Sequence, residues 1–191
     1  MLLSEIAAAL EVGKVFDDLS VPWVVGGSVA SSLQGVPRAT ADVDLVADLR
    51  LLHAAALVNA LEATYYVVAD VVRWAIRERR SFNVIQLESV TKVDVFCCPD
   101  DPLSRAQLTR RRTVVYQGRQ LPILSSEDVI LQKLRWYEQG GEVSDRQWQD
   151  ALAVARLRRA ELDRDYLESQ ARAAGLDALL RRLLAPPDPE D

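Results

Sequence analysis

Two aspartates one residue apart inside an apolar run, Asp42-Val43-Asp44-Leu45-Val46, constrain this chain more than any other stretch. Side chains alternate along a strand, so Asp42 and Asp44 project from one face and Val43 from the other. Carboxylates placed side by side repel unless a cation or a proton lies between them. Upstream, the short apolar run Trp23-Val24-Val25 enters Gly26-Gly27-Ser28. A small-residue helical stretch follows over 29–34, then a turn at 35–37. Glycines at a strand-to-helix junction let backbone N–H groups approach a phosphate, and a helix N-terminus favours its negative charge. A phosphate cradle followed by paired carboxylates predicts a metal–nucleotide site. The structural alternative for the glycine pair is a tight strand–helix turn.

Gly-Gly-Ser, an intervening helix and Asp-x-Asp in an apolar strand resemble the signature of the nucleotidyltransferase superfamily related to DNA polymerase β. Arg38-Ala39-Thr40, just ahead of the aspartates, is similar to the minimal nucleotidyltransferases and to the AbiEii-type toxin nucleotidyltransferases. The resemblance covers the first half of the chain well and the remainder more loosely. It implies a third carboxylate on a neighbouring strand, and Lys92-Val93-Asp94-Val95-Phe96 supplies one at Asp94. The alternative for Asp94 is an edge strand with its carboxylate in solvent.

The chemistry expected of such a site is transfer of a nucleoside monophosphate from an NTP to a hydroxyl, releasing pyrophosphate. Charge builds on the phosphoryl oxygens and the leaving group, and two divalent ions can clamp both. Asp42, Asp44 and Asp94 are the expected metal ligands and catalytic residues, with Asp94 also able to accept the proton of the attacking hydroxyl. Magnesium suits this all-oxygen donor set, with two ions expected. Gly26, Gly27 and Ser28 would hold the β- and γ-phosphates. Arg38 would reach the triphosphate and Thr40 would shape the approach to Asp42, or both are ordinary turn and strand-entry residues.

The resemblance to toxin nucleotidyltransferases implies RNA (a tRNA 3′ end) or a protein hydroxyl as acceptor, with a small hydroxylated molecule such as an aminoglycoside as a further candidate. It also implies nucleotide binding by a lysine on a C-terminal helix, matched here by Lys133. A lysine flanking the stripe Ile130, Leu134, Tyr137 otherwise snorkels, its charge in water. In the following helix Arg146 and Asp150 match the related motif, but Gln147 stands where a carboxylate is expected. Two rivals share these residues: a catalytically inactive binding or regulatory module, and a phosphate-ester hydrolase.

Composition narrows the alternatives. At 191 residues, 49% hydrophobic and 27% charged, the chain suits one domain with a helical appendix. A formal net charge of −5 argues against a general nucleic-acid binder. Arg77, Arg79, Arg80, Arg105, Arg110, Arg111, Arg112 and Arg119 nevertheless cluster in sequence. They form a solvated face, or hold an RNA backbone with Trp74 and Tyr116 stacking. Cys97 and Cys98 are adjacent, which is neither a disulfide framework nor zinc spacing. His53 is the single histidine, so a histidine triad is nearly excluded. No signal peptide and no membrane span are expected, and a cytoplasmic location follows.

The pattern along the chain predicts an α/β (α+β) fold: a mixed sheet with flanking helices over 1–124, a C-terminal helical region over 125–184 packed on that core, and a disordered tail over 185–191. Helices are expected over 2–19, 49–61, 70–77 (capped by Asp70), 103–112, 126–139, 144–157, 163–174 and 176–184. Strands are expected over 65–68, 81–88, 92–98, 113–116 and 120–124.

Overall fold

The structure is a computed structural model describing residues 3–185, so most of the tail expected to be disordered lies outside the described residues. The chain divides into two compact units. One comprises residues 3–30 with Arg38–Leu124; the other comprises Ser31–Pro37 with residues 125–185.

The first unit is built on a seven-stranded mixed sheet. In chain order its strands are β1 (Trp23–Val25), β2 (Asp42–Ala47), β3 (Tyr65–Tyr66), β4 (Ser81–Gln86), β5 (Lys92–Cys97), β6 (Arg112–Tyr116) and β7 (Arg119–Ile123). Their order across the sheet is β3-β4-β5-β2-β1-β7-β6. β2 and β5 run parallel at the centre, whereas β1 with β2 and β4 with β5 are antiparallel. β5 alternates along its length, as do the first four residues of β2 and of β4. Val43, Leu45, Val93, Val95, Phe82 and Val84 are buried on one face, while Asp42, Asp44, Lys92 and Asp94 alternate with them and are only partly covered.

Helix α1 (Leu3–Asp18) packs on β1, β2 and β5 and against α3 (Ala54–Leu61), which packs against α4 (Ala69–Arg77), and α4 in turn packs on β4. α1 contributes Ile6, Ala9, Val12 and Phe16 to the core, all at most 1% exposed. Burying such a face supplies the main driving force for folding. α2 (Gly27–Gln34) starts directly after β1, and α5 (Pro102–Thr109) follows β5. Asp101 caps α5 by accepting the Ser104 N–H at 3.0 Å, and Pro102 opens it where no N–H is needed. The β6–β7 hairpin turns on Gln117 and Gly118, both at positive φ, the conformation that a two-residue type I′ connection requires.

In the second unit, α6 (Ser126–Gln139), α7 (Asp145–Leu157), α8 (Arg164–Ala173) and α9 (Asp177–Leu184) bury Ile130, Leu134, Val154, Leu167 and Leu180. Ser125 caps α6, its Oγ accepting the Asp128 N–H at 3.1 Å and donating to Asp128 Oδ2 at 2.8 Å. Residues 31–37 are tied into this unit. Ser126 Oγ donates to Gln34 Oε1 at 2.7 Å, and Arg158 Nε donates to the Gln34 carbonyl at 3.1 Å.

Several expected boundaries move for local reasons. Residues 49–61 are not one helix: a 3-10 turn at Leu51–His53 precedes α3, with His53 Nδ1 accepting the Arg50 N–H at 3.1 Å. Asp70 does not cap α4. Val68 holds that position, and Asp70 lies in the first turn paired with Arg73. β4 stops at Gln86, β3 is only two residues long, and α5 ends at Thr109, leaving Arg112 to β6.

Candidate active site

Parallel pairing of β2 with β5 sets Asp42 opposite Lys92 and Asp44 opposite Asp94. Residues in register across neighbouring strands share a face, so the three aspartates gather on one patch of the sheet. Antiparallel pairing of β4 with β5 extends the row, setting Asn83 opposite Asp94. The polar row is therefore Asp44, Asp94, Asn83, and beside it lies the pair Asp42, Lys92.

Lys92 is the cation of this patch. Its Nζ lies 2.7 Å from Asp94 Oδ2 and 3.6 Å from Asp42 Oδ2, on a side chain 40% exposed. The hydrogen bond to Asp94 chiefly raises the lysine's pKa, with the negative charges of Asp94 and Asp42 adding to it and partial burial opposing. Among the described residues no three His, Cys, Asp or Glu side chains are drawn together as a preformed metal cage. Two of the three carboxylates, those of Asp94 and Asp42, are instead held around an ammonium.

The Gly-Gly-Ser turn lies against Asp44. The Gly26 N–H donates to the Asp44 carbonyl at 2.9 Å, so this amide serves the sheet. Gly27 opens α2 at φ +55°, and a Cβ there would lie 1.7 Å from Asp44 Oδ2. Only glycine permits both the backbone angle and the approach. Arg38 reaches back over this turn, Nη2 donating to Ser28 Oγ at 2.5 Å. Thr40 Oγ1 donates to Asp42 Oδ1 at 3.0 Å and to the Asp42 carbonyl at 3.2 Å, fixing that carboxylate at the strand entry. Asp42, Asp44, Asp94, Gly26, Gly27, Ser28, Arg38 and Thr40 thus all belong to the first unit.

Lys133 belongs to the second unit, on α6, and it does not snorkel. Its side chain is wholly buried, with Nζ 2.8 Å from Asp150 Oδ2 and 5.4 Å from the Trp136 ring centre. Ser31 Oγ donates to the same Asp150 oxygen at 3.4 Å. Arg146 and Gln147 precede Asp150 on α7.

Two neighbours of the patch escaped the sequence reading. Lys92 was detectable, because alternation alone puts it on the face of Asp94. Asn83 was not, since its place depends on the register between β4 and β5.

No family model matches the sequence, and no curated protein matches it significantly. Solved structures do match. An antigenic nucleotidyltransferase-like protein from Paracoccidioides brasiliensis superposes with TM-score 0.57 at 18% identity, over 94% of this chain and 91% of the other. ANT(2'')-Ia, crystallised in complex with adenylyl-2''-tobramycin, gives TM-score 0.55 at 14% identity over 95% and 99%. The lincosamide antibiotic adenylyltransferase LnuA, lincomycin-bound, gives 0.50 at 14% over 79% and 94%. The chain has the nucleotidyltransferase fold. These likenesses do not single out the AbiEii-type subgroup. Among the described residues no helix is long and apolar enough to cross a membrane.

Proposed function

We propose that the chain transfers a nucleoside monophosphate from an NTP to a hydroxyl group, releasing pyrophosphate. The observation that carries this reading is the Asp44–Asp94 register, which sets these two carboxylates and Asp42 on one sheet face beside the Gly27 turn. An all-oxygen donor set of this kind fits magnesium, and the patch already gathers around a cation at Lys92. Asp42, Asp44 and Asp94 would hold the metal once the flexible lysine stem swings aside. Bound there, magnesium would offset charge on the phosphoryl oxygens and the leaving pyrophosphate.

The protein's own groups supply the rest. Gly27 and Ser28, at the start of α2, would receive the triphosphate, with Arg38 beside Ser28 as its positive partner. Thr40 keeps Asp42 oriented. Asp94 accepts the proton of the attacking hydroxyl as its oxygen bonds to the α-phosphorus and the bond to pyrophosphate breaks. Lys133 would serve the phosphates only by giving up Asp150.

The fold neighbours that carry antibiotic ligands make a small polyhydroxylated molecule the first acceptor to try. A tRNA 3′ end or a protein hydroxyl is the acceptor that the toxin-like motif favours. Incubation with α-labelled NTPs and magnesium, against aminoglycosides, lincosamides, total tRNA and protein, tests all of these at once. The reading expects a labelled product that requires Asp44 and Asp94, absent with Asp44→Ala and reduced by about a thousandfold with Asp94→Asn. Release of inorganic phosphate in place of pyrophosphate would make the protein a hydrolase. If Asp44→Ala labels whatever wild type labels, the chain is a nucleotidyltransferase-like binding module. Lys92 standing where a metal would lie is the observation favouring that second reading.

A further inference from the structure

A separate cleft of about 500 Å³ opens in the first unit, beyond the C-terminal ends of β2 and β5. Asp48 and Cys98, which follow those strands, both line it. The four residues from Asp44 to Asp48 span roughly 13 Å at strand rise, so the cleft is distinct from the carboxylate patch.

Four arginines line this cleft, Arg50, Arg79, Arg105 and Arg111, together with Asp48 and Asp100. Asp48 is shared between Arg79 at 3.5 Å and Arg50 at 3.6 Å, and Arg105 pairs with Asp100. Such long or exposed pairs are weak in water. Among the lining residues four arginines stand against two carboxylates, with Asp101 engaged in the α5 cap nearby, in a protein whose formal net charge is −5. Two of the arginines are also positioned by backbone. Arg79 Nη1 donates to the Leu49 carbonyl at 3.1 Å, and Arg111 Nη1 donates to the Leu108 carbonyl at 3.0 Å. Arg79 sits at φ +51° where the chain leaves α4, and the Arg80 N–H there donates to the Ala75 carbonyl at 2.9 Å. The fold therefore holds like charges together.

We propose that this cleft binds a small molecule carrying phosphate groups, of pyrophosphate to nucleotide size. Guanidinium forks match phosphate oxygens in pairs, and the volume falls in the range of small-ligand sites. A nucleic-acid strand fits less well. Among the described residues neither Trp74, Tyr116 nor any other aromatic side chain lines the cleft, which therefore offers no stacking platform of the kind a single-strand groove uses.

Calorimetric titration of the full chain with pyrophosphate and with ADP, in EDTA, tests the proposal apart from any metal-dependent binding at the aspartates. One equivalent of each is expected to bind. Arg50→Ala combined with Arg105→Ala is expected to weaken both by about tenfold or more, while Ser28→Ala leaves them within about twofold. Both arginines are exposed, so an unchanged thermal midpoint should accompany the loss, and Arg105→Gln alone should give an intermediate effect. Absence of binding, equal loss in Ser28→Ala, or unchanged affinity in the arginine variants would overturn it. So would a short single-stranded RNA that binds far more tightly than ADP with a steep salt dependence, which would make the cleft a strand-binding surface.

Discussion

A methyl group on Gly27 would lie 1.7 Å from Asp44 Oδ2, so the start of α2 and the middle of β2 meet where one of them has no side chain. Gly27→Ala asks an L-residue to hold φ +55° and drives the Asp44 carboxylate from its place. The backbone cost alone is about 1–2 kcal/mol. A misplaced carboxylate should lower kcat by about a hundredfold. Steady-state nucleotide transfer, with thermal melting alongside, checks this. Wild-type turnover in a folded variant would mean that the contact has no part in the chemistry.

Lys92 holds two of the three aspartates, and its ammonium competes with a divalent ion for their oxygens. Its raised pKa keeps it charged through neutral pH, chiefly by the hydrogen bond to Asp94. Lys92→Met keeps most of the stem and removes the charge. Manganese binding to the nucleotide-free protein, followed by electron paramagnetic resonance, should then tighten by about tenfold, the scale of losing one competing contact. Unchanged or weaker binding would remove Lys92 from the role of competitor.

The aspartates were legible in the sequence because a period of two is a local property: Asp42-Val43-Asp44 shows its own facing. The strand carrying Asp94 was legible for the same reason. What a sequence does not display is which strands become neighbours and in what register, and the pairing of Asp44 with Asp94 and Asn83 is a fact of that kind. Lys92 is different. Its facing is readable from the same alternation, but its ion pairs with Asp94 and Asp42 also depend on the pairing of β2 with β5. For Lys133 only the snorkelling alternative fails, since the periodicity of α6 marks its apolar stripe but does not reveal that Asp150 of α7 lies beside it. The expected cap at Asp70 failed because residue type alone does not locate the first helical turn; α4 begins one residue earlier.

The Lys133–Asp150 pair makes a prediction for the second unit. Both partners are 9% exposed or less, and removing one strands the other's charge in a poorly solvated site. Lys133→Met or Asp150→Ala should each cost about 3–5 kcal/mol, whereas the double replacement should recover much of that loss. Urea denaturation of the two single variants and the double variant checks it. Additive losses would mean that the two groups do not compensate one another. A folded Lys133→Arg variant with raised KM for NTP would in turn favour the nucleotide-binding role that the toxin-like motif implies.

Alkaline pH provides a test of packing behind β5. Burial pushes the Cys97 thiol up to about 12 and the Cys98 thiol up to about 11, from 9.0. A folded-state pKa above the unfolded one means that the unfolded chain releases these protons first. The stability gained by keeping both thiols neutral is therefore complete below pH 9 and is lost as pH climbs through 9 toward 11 and 12. Burial and the hydrogen bond to Glu11 push Tyr65 in the same direction, but its loss begins only near the ordinary tyrosine value of 10.0. Thermal midpoints should thus begin falling near pH 9 in wild type, and the early part of that fall should be missing in Cys97→Ala/Cys98→Ala. Iodoacetamide at pH 8 should label the native thiols far more slowly than the denatured ones, because thiolate is scarce and covered. Rapid native labelling would show that the end of β5 opens to solvent.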